Sequence, residues 1–298
     1  MKKRILIEAS GSMVSGYLIK AINDSGNESI ASDIDSFNHG ICLANHFVKV
    51  PRSTDPNLWK IIEEKLLINK IDIVIPSFDE TLLSWSYKKE YFKEKGINII
   101  VSNSETVEIF LDKYKAYEFC VKNDILTPKT SLVQEFELVK PRFGRGGKDI
   151  YIGNEFQDMT NNISQELIKG IEYTVDCFFD KNGRAIYIIP RQRIDVIDGK
   201  STKGIVVKHD LINYYVEKIA KNIKFEGPIN FQFIESKNKR LFFIEINPRV
   251  AGGMALGFAA SENWINLIIN NFINNQEIEP KEIKYGLRML RYYAECFI

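Results

Sequence analysis

The sequence predicts a mixed chain, with an α/β unit built on a parallel sheet over residues 1–104 and an α+β unit over residues 105–298. Three observations carry that reading. Through the first hundred residues β-rich runs alternate with helical stretches, the pattern of repeated βαβ units. Near residue 104 the pattern changes to a helix followed by strands that read as antiparallel. A length of 298 residues allows two or three compact units, and 45% hydrophobic with 27% charged residues excludes a disordered or fibrous chain.

In the first unit, β-rich runs fall at residues 4–8, 28–33, 72–75 and 98–101, and helical stretches at 17–23, 58–67 and 82–95. A parallel sheet takes ligands beyond the carboxyl ends of its strands. Two of those ends are polar: Ser10-Gly11-Ser12 after the first run, and Ser77-Phe78-Asp79-Glu80 after Pro76. The first lacks the G-x-G-x-x-G spacing and reads equally as a tight strand-to-helix turn. Asp79 and Glu80 are candidates for contacting substrate, or else acidic caps on a helix starting near Thr81.

The second unit opens with a helix over residues 105–122 and a break at Pro128. A strand at 138–140 then enters Pro141-Arg142-Phe143-Gly144-Arg145-Gly146-Gly147-Lys148, and a strand resumes at 150–152. Glycines let the backbone approach an anion and the cations supply charge, which suits polyphosphate, although a solvated hairpin tip has the same composition. The loop is not of the Walker A type, since it lacks G-x-x-x-x-G-K-[ST]. After a turn at Lys169-Gly170, residues 171–179 form a strand in which Glu172, Thr174 and Asp176 share one face by the period of two. Glu172 needs a partner there, a ribose hydroxyl, a cation or a neighbouring lysine, and the backbone of Glu166, Leu167 and Ile168 could meet an adenine edge.

The sharpest geometric signal is the pair of runs 229–235 and 241–249, joined by the polar turn Ser236-Lys237-Asn238-Lys239-Arg240. A tip at Asn238-Lys239 makes the numbers of facing residues sum to 477, so Gln232 lies opposite Glu245. Asn247 projects on the same face, and Pro248 ends the strand so that Arg249 can turn back. One carboxylate and two amides are hard oxygen donors suited to magnesium, and Arg249 suits a transferring phosphoryl group. Phe231, Phe233, Phe242 and Ile244 mark the opposite face as buried. Further candidates for an anionic substrate are Arg191 and Arg193, which alternate after a strand but could equally lie on the surface. Lys203 and His209 are weaker candidates for a terminal phosphate. Gly252 and Gly253 lead into an apolar helix to about Phe272, whose first N–H groups could hold a carboxylate.

Composition removes other classes. Forty basic against thirty-nine acidic residues leave a net charge of +1, too little for nucleic acid as a main partner. The opening MKKRILIEAS loses its apolar run at Glu8, short of a signal peptide, and no later apolar run reaches membrane-spanning length. Cys42, Cys120, Cys177 and Cys296 are scattered, which predicts reduced buried thiols and a cytoplasmic chain. His39, His46 and His209 neighbour no cysteine pair, so zinc is not expected.

Taken in order, Asp112-Lys113, VKPRFGRGGKDI, QELIKGIEYTVD, INFQF and FIEINPR resemble the ATP-grasp superfamily, most closely its carbamoyl-phosphate-synthase-like and biotin-carboxylase-like members. The likeness spans residues 112–258, and the first hundred residues resemble the family's Rossmann-like pre-ATP-grasp domain. The resemblance implies a two-lobed ATP-grasp fold, with a lid lobe over about 115–168 and a large lobe over 169–298. It implies ATP phosphates on Lys113, Lys140 and Arg249, a mobile phosphate loop at Gly146 and Gly147, and an adenine hinge at Glu166, Leu167 and Ile168. It further implies ribose on Glu172 and Mg2+ among Gln232, Glu245 and Asn247, with Arg249, Glu245 and Asn247 as the catalytic set.

The implied activity is that of an ATP- and Mg-dependent ligase, activating a small carboxylate as an acyl phosphate for attack by an amine or other nucleophile. Alternatives are a carbamoyl-phosphate-synthase-like enzyme or small-molecule kinase that releases a phosphorylated product, and a nucleotide-binding regulator without turnover. The expected partners are the carboxylate and the amine, with no nucleic acid and no membrane; a homodimer through the first domain is one expected assembly. About fifty residues follow Asn247, fewer than in biotin carboxylase, and no glutaminase segment is present, so a complete carbamoyl phosphate synthase is not expected.

Overall fold

Short strands that are apolar on both faces start the chain, and they form a sheet covered on both sides. The computed structural model describes residues 2–12, 15–144, 147, 149–197, 200–292 and 294–298. Strands β1 (Arg4–Ile7), β2 (Glu28–Asp33), β3 (His46–Lys49), β4 (Ile73–Ile75) and β5 (Asn98–Ile99) lie in the order β3-β2-β1-β4-β5, with all pairs parallel. The connections carry helices α1 (Ser15–Asp24), α2 (Gly40–Leu43), α3 (Leu58–Ile68), α4 (Asp79–Tyr87) and α5 (Lys89–Glu94). The single helix expected over 82–95 is thus two helices, and it begins three residues earlier, with Asp79 and Glu80 inside its first turn.

The helix expected over 105–122 is also two, α6 (Ser104–Leu111) and α7 (Lys113–Lys122). The break is caused by Asp112, whose carboxylate accepts the N–H groups of Tyr114 (2.9 Å) and Lys115 (3.3 Å) and so caps α7. A small antiparallel sheet follows, made of β6 (Thr130–Ser131), β7 (Leu138–Pro141), β8 (Tyr151–Ile152) and β9 (Asn162–Gln165) in the order β6-β9-β7-β8. The large antiparallel sheet has the order β14-β13-β10-β11-β12-β15. Its strands are β10 (Gly170–Phe179), β11 (Ala185–Ile197), β12 (Lys200–Val206), β13 (Gly227–Ser236), β14 (Leu241–Asn247) and β15 (Arg288–Leu290). Helix α8 (Asp210–Ala220) separates β12 from β13, and α9 (Ala255–Ala260) and α10 (Trp264–Ile268) follow β14. The apolar helix expected from Gly252 to Phe272 is therefore interrupted: Asn263 caps α10 by accepting from the Ile265 N–H, and the last turn, Ile269–Ile273, is π-helical.

The two faces of the large sheet are buried differently. Tyr173, Val175, Cys177 and Phe179 of β10 pack with Phe110 of α6, Cys120 of α7 and Val216 of α8. On the other face Phe178 and Tyr187 join Trp264 and Met254 to Ile5 and Ile7 of β1 and Leu18 of α1, so one core unites the two units. Of the cysteines, Cys120 and Cys177 are buried as expected, whereas Cys296 is exposed. No helix among the described residues is long and apolar enough to cross a membrane.

Candidate active site

The cleft between the small and large sheets encloses about 590 Å³ and is lined by Lys113 and Lys140 on one side and by Glu172, Gln232 and Glu245 on the other. Its large-lobe wall is the hairpin β13–β14. Asn230 pairs with Asn247, Phe231 with Ile246 and Gln232 with Glu245, the expected register. Towards the tip the pairing shifts, Phe233 facing Phe243 and Glu235 facing Leu241. A β-bulge at Ile244 absorbs that one-residue difference, so the register is right at the site for a reason the turn alone does not supply. The bulge also corrects the expected burial. Ile244 lines the cleft beside Glu245, and the helical face is covered by Phe231, Phe233, Phe243 and Ile246.

The polar side chains of this wall form a chain of bonds. Gln232 Nε2 donates to Glu245 Oε1 at 2.7 Å, Asn247 Nδ2 approaches the same oxygen at 3.4 Å, and Arg249 Nη2 donates to Asn247 Oδ1 at 3.2 Å. Arg249 also donates from Nη2 to Asp79 Oδ2 at 2.8 Å and from Nε to Asp79 Oδ1, which fixes its guanidinium against the first turn of α4. Burial disfavours the Arg249 charge, but Asp79 with Glu245 and Glu80 outweighs it and raises the guanidinium further. Asp79 therefore acts through Arg249, while Glu80 lines the cleft directly.

On the opposite wall Lys140 is buried, and its Nζ donates to Gln165 Oε1 at 2.8 Å. Burial pushes its ammonium down to about 8, with Glu245 pulling it up and Lys113 pushing it down. Lys113 begins α7 and donates from Nζ to the Gly144 carbonyl at 2.8 Å. That helix end is tied to the glycine-rich loop after β7 by Arg142, which grips Asp112 at 2.7 and 2.6 Å. Gly144 and Gly147 have φ of +96° and +65°, a region open to glycine. Gly146 lies outside the described residues. Glu166, Leu167 and Ile168 fall in the link between β9 and β10, joining the two sheets, and the Glu166 N–H donates to the Lys129 carbonyl at 2.9 Å.

The remaining candidates separate. Arg193 and Glu172 face each other across the cleft wall at 3.1 Å. Arg191, a candidate for the cleft or the surface, lies at neither: it is 1% exposed and held by Asp176 at 2.6 and 2.9 Å, with Asn230 on the same carboxylate at 3.0 Å. One face of β10 thus runs from cleft at Glu172 to enclosed ion pair at Asp176 to apolar core at Phe178. Gly253 lies on the Arg191 guanidinium, where a Cβ would come within 2.7 Å, and the Gly252 carbonyl accepts from Arg291. The two glycines precede a helix of only six residues, too short for the carboxylate-holding end expected of it. Lys203 pairs with Asp195 at 3.3 Å, and His209 caps α8 by accepting the Ile212 N–H at 3.3 Å. Sequence reasoning missed Gln165 as the partner of Lys140, because their contact spans two strands whose pairing no local pattern announces.

The donor chemistry suits a hard cation. Among the described residues no group of three His, Cys, Asp or Glu could hold a metal, because this wall offers one carboxylate and two amides. Such a set fits magnesium, which takes few protein oxygens and completes its shell with water and phosphate.

Comparison with known proteins bears on the fold that carries this cleft. Residues 158–294 match the family described as ATP-grasp in the biosynthetic pathway with Ter operon, and residues 5–100 match the PylC-like N-terminal domain. The carbamoyl phosphate synthase large chain of Clostridium perfringens is 26% identical over 206 residues, covering 54% of this chain and only 18% of the relative. The chain therefore spans under a fifth of that relative's length. The biotin carboxylase domain of Hydrogenobacter thermophilus 2-oxoglutarate carboxylase, solved with MgADP, ADP and bicarbonate, superimposes with a TM-score of 0.76 at 16% identity, over 97% of this chain and 73% of that one. The L-amino acid ligase of Bacillus licheniformis gives 0.72 at 15% identity, over 94% and 75%. These two likenesses show the fold. The resemblance read from the sequence and the fold class are both borne out.

Proposed function

We propose that this chain, an ATP-grasp protein with a PylC-like N-terminal domain, is an ATP- and magnesium-dependent ligase that activates a small carboxylate as an acyl phosphate and joins it to an amine. The reading rests on the convergence in one cleft of Lys113 and Lys140 with the Gln232, Glu245 and Asn247 oxygens, closed off by Arg249. The names of the fold neighbours support it, a biotin carboxylase solved with MgADP and an amino acid ligase among them.

In this reading Lys113 and Lys140 hold the ATP phosphates, Gly147 with Gly146 covers them, and the link at Glu166, Leu167 and Ile168 meets the adenine while Glu172 meets the ribose. Glu245, Asn247 and Gln232 would hold magnesium, which when bound offsets charge on the transferred phosphoryl group. Arg249, oriented by Asp79, supplies a fixed positive charge at the same place. The γ-phosphoryl passes to a carboxylate oxygen and ADP leaves. The amine nitrogen then attacks the acyl carbon, phosphate departs, and the amine proton passes to solvent. The N-terminal domain to residue 104, the lid over about 115–168 and the large lobe from 169 divide the chain accordingly, with 166–168 as hinge. A cytoplasmic location and a homodimer through the N-terminal domain belong to the same proposal.

The test measures ADP release across pairs of small carboxylates and amines. ADP release that depends on both, with free phosphate as the phosphorus product by NMR, is the expected result. A stable phosphorylated product would favour the carbamoyl-phosphate or kinase alternative. Undiminished turnover in Glu245→Gln would overturn the site.

A further inference from the structure

The strand order β3-β2-β1-β4-β5 opens a second cavity, of about 540 Å³, between the carboxyl ends of β1, β2 and β3 and the helices α3 and α4. That volume is in the range of small-molecule sites. We propose that this N-terminal cavity binds a protonated organic amine with an apolar body.

The chemistry of its walls carries the inference. Leu58, Ile62 and Trp85 form an apolar side, while Glu8 projects into the space and Asp33 and Asp35 stand at the mouth. Glu8 is 9% exposed, and its oxygens receive the Trp85 indole N–H at 2.7 Å, the Thr81 hydroxyl at 2.9 Å and the Ser77 N–H at 3.2 Å. Indole and amide N–H groups only donate, so both Glu8 oxygens are held as acceptors. Burial holds the Glu8 carboxyl above its ordinary value, against the opposing hydrogen bonds from Trp85, Thr81, Ser77 and the Phe78 backbone. Among the described residues no cation pairs with Glu8. Asp33 is held in place by the N–H groups of Gly11 at 2.8 Å and Asp35 at 3.2 Å. Three carboxylates thus face one ammonium in the lining, Lys65. Such a cavity repels phosphate and carboxylate ligands, and an ammonium group in it gains charge-assisted hydrogen bonds. An apolar body on that ammonium gains burial against α3.

The position joins this cavity to the cleft. Phe78 and Thr81 line the cavity, Glu80 lines the cleft, and Asp79 between them holds Arg249. The first turn of α4 therefore borders both spaces. On the ligase reading above, the bound amine is the nucleophile that attacks the acyl phosphate.

Isothermal titration of the full chain with phenethylamine and isopentylamine tests the site, with 2-phenylethanol, 3-phenylpropionate and adenosine as controls. The amines are expected to bind at least tenfold more tightly than any control. Asp33→Asn and Asp35→Asn should each weaken amine binding about fivefold, and Ser53→Trp, a surface change at the mouth, should abolish it with the circular dichroism spectrum unchanged. Alcohol binding equal to amine binding would reduce the cavity to an apolar pocket and overturn the proposal. So would tighter binding of adenosine, or amine binding indifferent to both aspartates. Because binding is read without turnover, amine binding with no amine-dependent ADP release would sink the ligase reading and leave the site standing.

Discussion

Two arginines in this chain each grip one aspartate through paired hydrogen bonds, and their surroundings give them different work. Arg191 and Asp176 sit on neighbouring strands of one sheet, 1% and 0% exposed, sealed under Gly253. Arg249 and Asp79 lie 170 residues apart, join the large lobe to the N-terminal domain, and border the cleft with Asn247 on the same guanidinium. The enclosed pair is a structural contact whose charges have no water to fall back on. In the proposed function the bordering pair holds a charge in position for a ligand. Identical chemistry at the level of residue type thus separates by what lies beside it.

The largest expected effect is at the enclosed pair. Asp176→Ala strands the Arg191 charge in the core and should cost about 3–5 kcal/mol of stability, read as a lowered urea midpoint. Arg249→Ala should instead cost about 10²–10³ in kcat for ADP release. Its stability loss should be smaller, about 1–2 kcal/mol, because the Asp79 side chain is 11% exposed whereas that of Asp176 is fully enclosed. Equal stability losses in the two variants would break the distinction drawn between the pairs.

Gly253→Ala sharpens it from a third side. Its Cβ would meet the Arg191 guanidinium at 2.7 Å, so a loss of about 1–3 kcal/mol is expected, relieved when Arg191 and Asp176 are replaced together by apolar residues of similar volume. A titration separates cleft from core as well. Lys140, pushed down to about 8 by burial, should lose its proton as pH rises through that value, so ATP affinity falls by about tenfold between pH 8 and 9.5 in the wild type and stays level in Lys140→Arg. The sign for folding is opposite. Between about 8 and the ordinary lysine value the unfolded chain binds the extra proton, so the Lys140 contribution to stability rises with pH across that window. The smallest effect is at His209. Its cap on α8 should be worth about 0.5 kcal/mol, and His209→Asn should retain most of it in thermal melts.

Much of the site was legible because it lies on strands. The hairpin register puts Gln232 opposite Glu245 and the period of two puts Asn247 on the same face before any fold is known, and the glycine-rich loop with Lys140 announces an anion by composition. Helix boundaries were less legible, since Asp112 can read as mid-helix until Arg142, thirty residues on, is seen to grip it. The orientation of Arg191 was not legible either, because period and spacing do not reveal whether a strand face looks onto water or onto another domain.

The sequence by itself determined the parallel and antiparallel units, the hairpin with its oxygen donors, and the resemblance that those motifs carry, all of which depend on neighbours along the chain. Only the tertiary structure decided the bulge at Ile244 that seats Glu245, the Asp79 that orients Arg249, the Gln165 that holds Lys140, and the enclosure of Glu8 in a second cavity. Apart from the bulge, which lies within one hairpin, each of these is a contact between segments far apart along the chain. Burial and charge pairing are properties of the folded surroundings, and local periodicity carries no information about them.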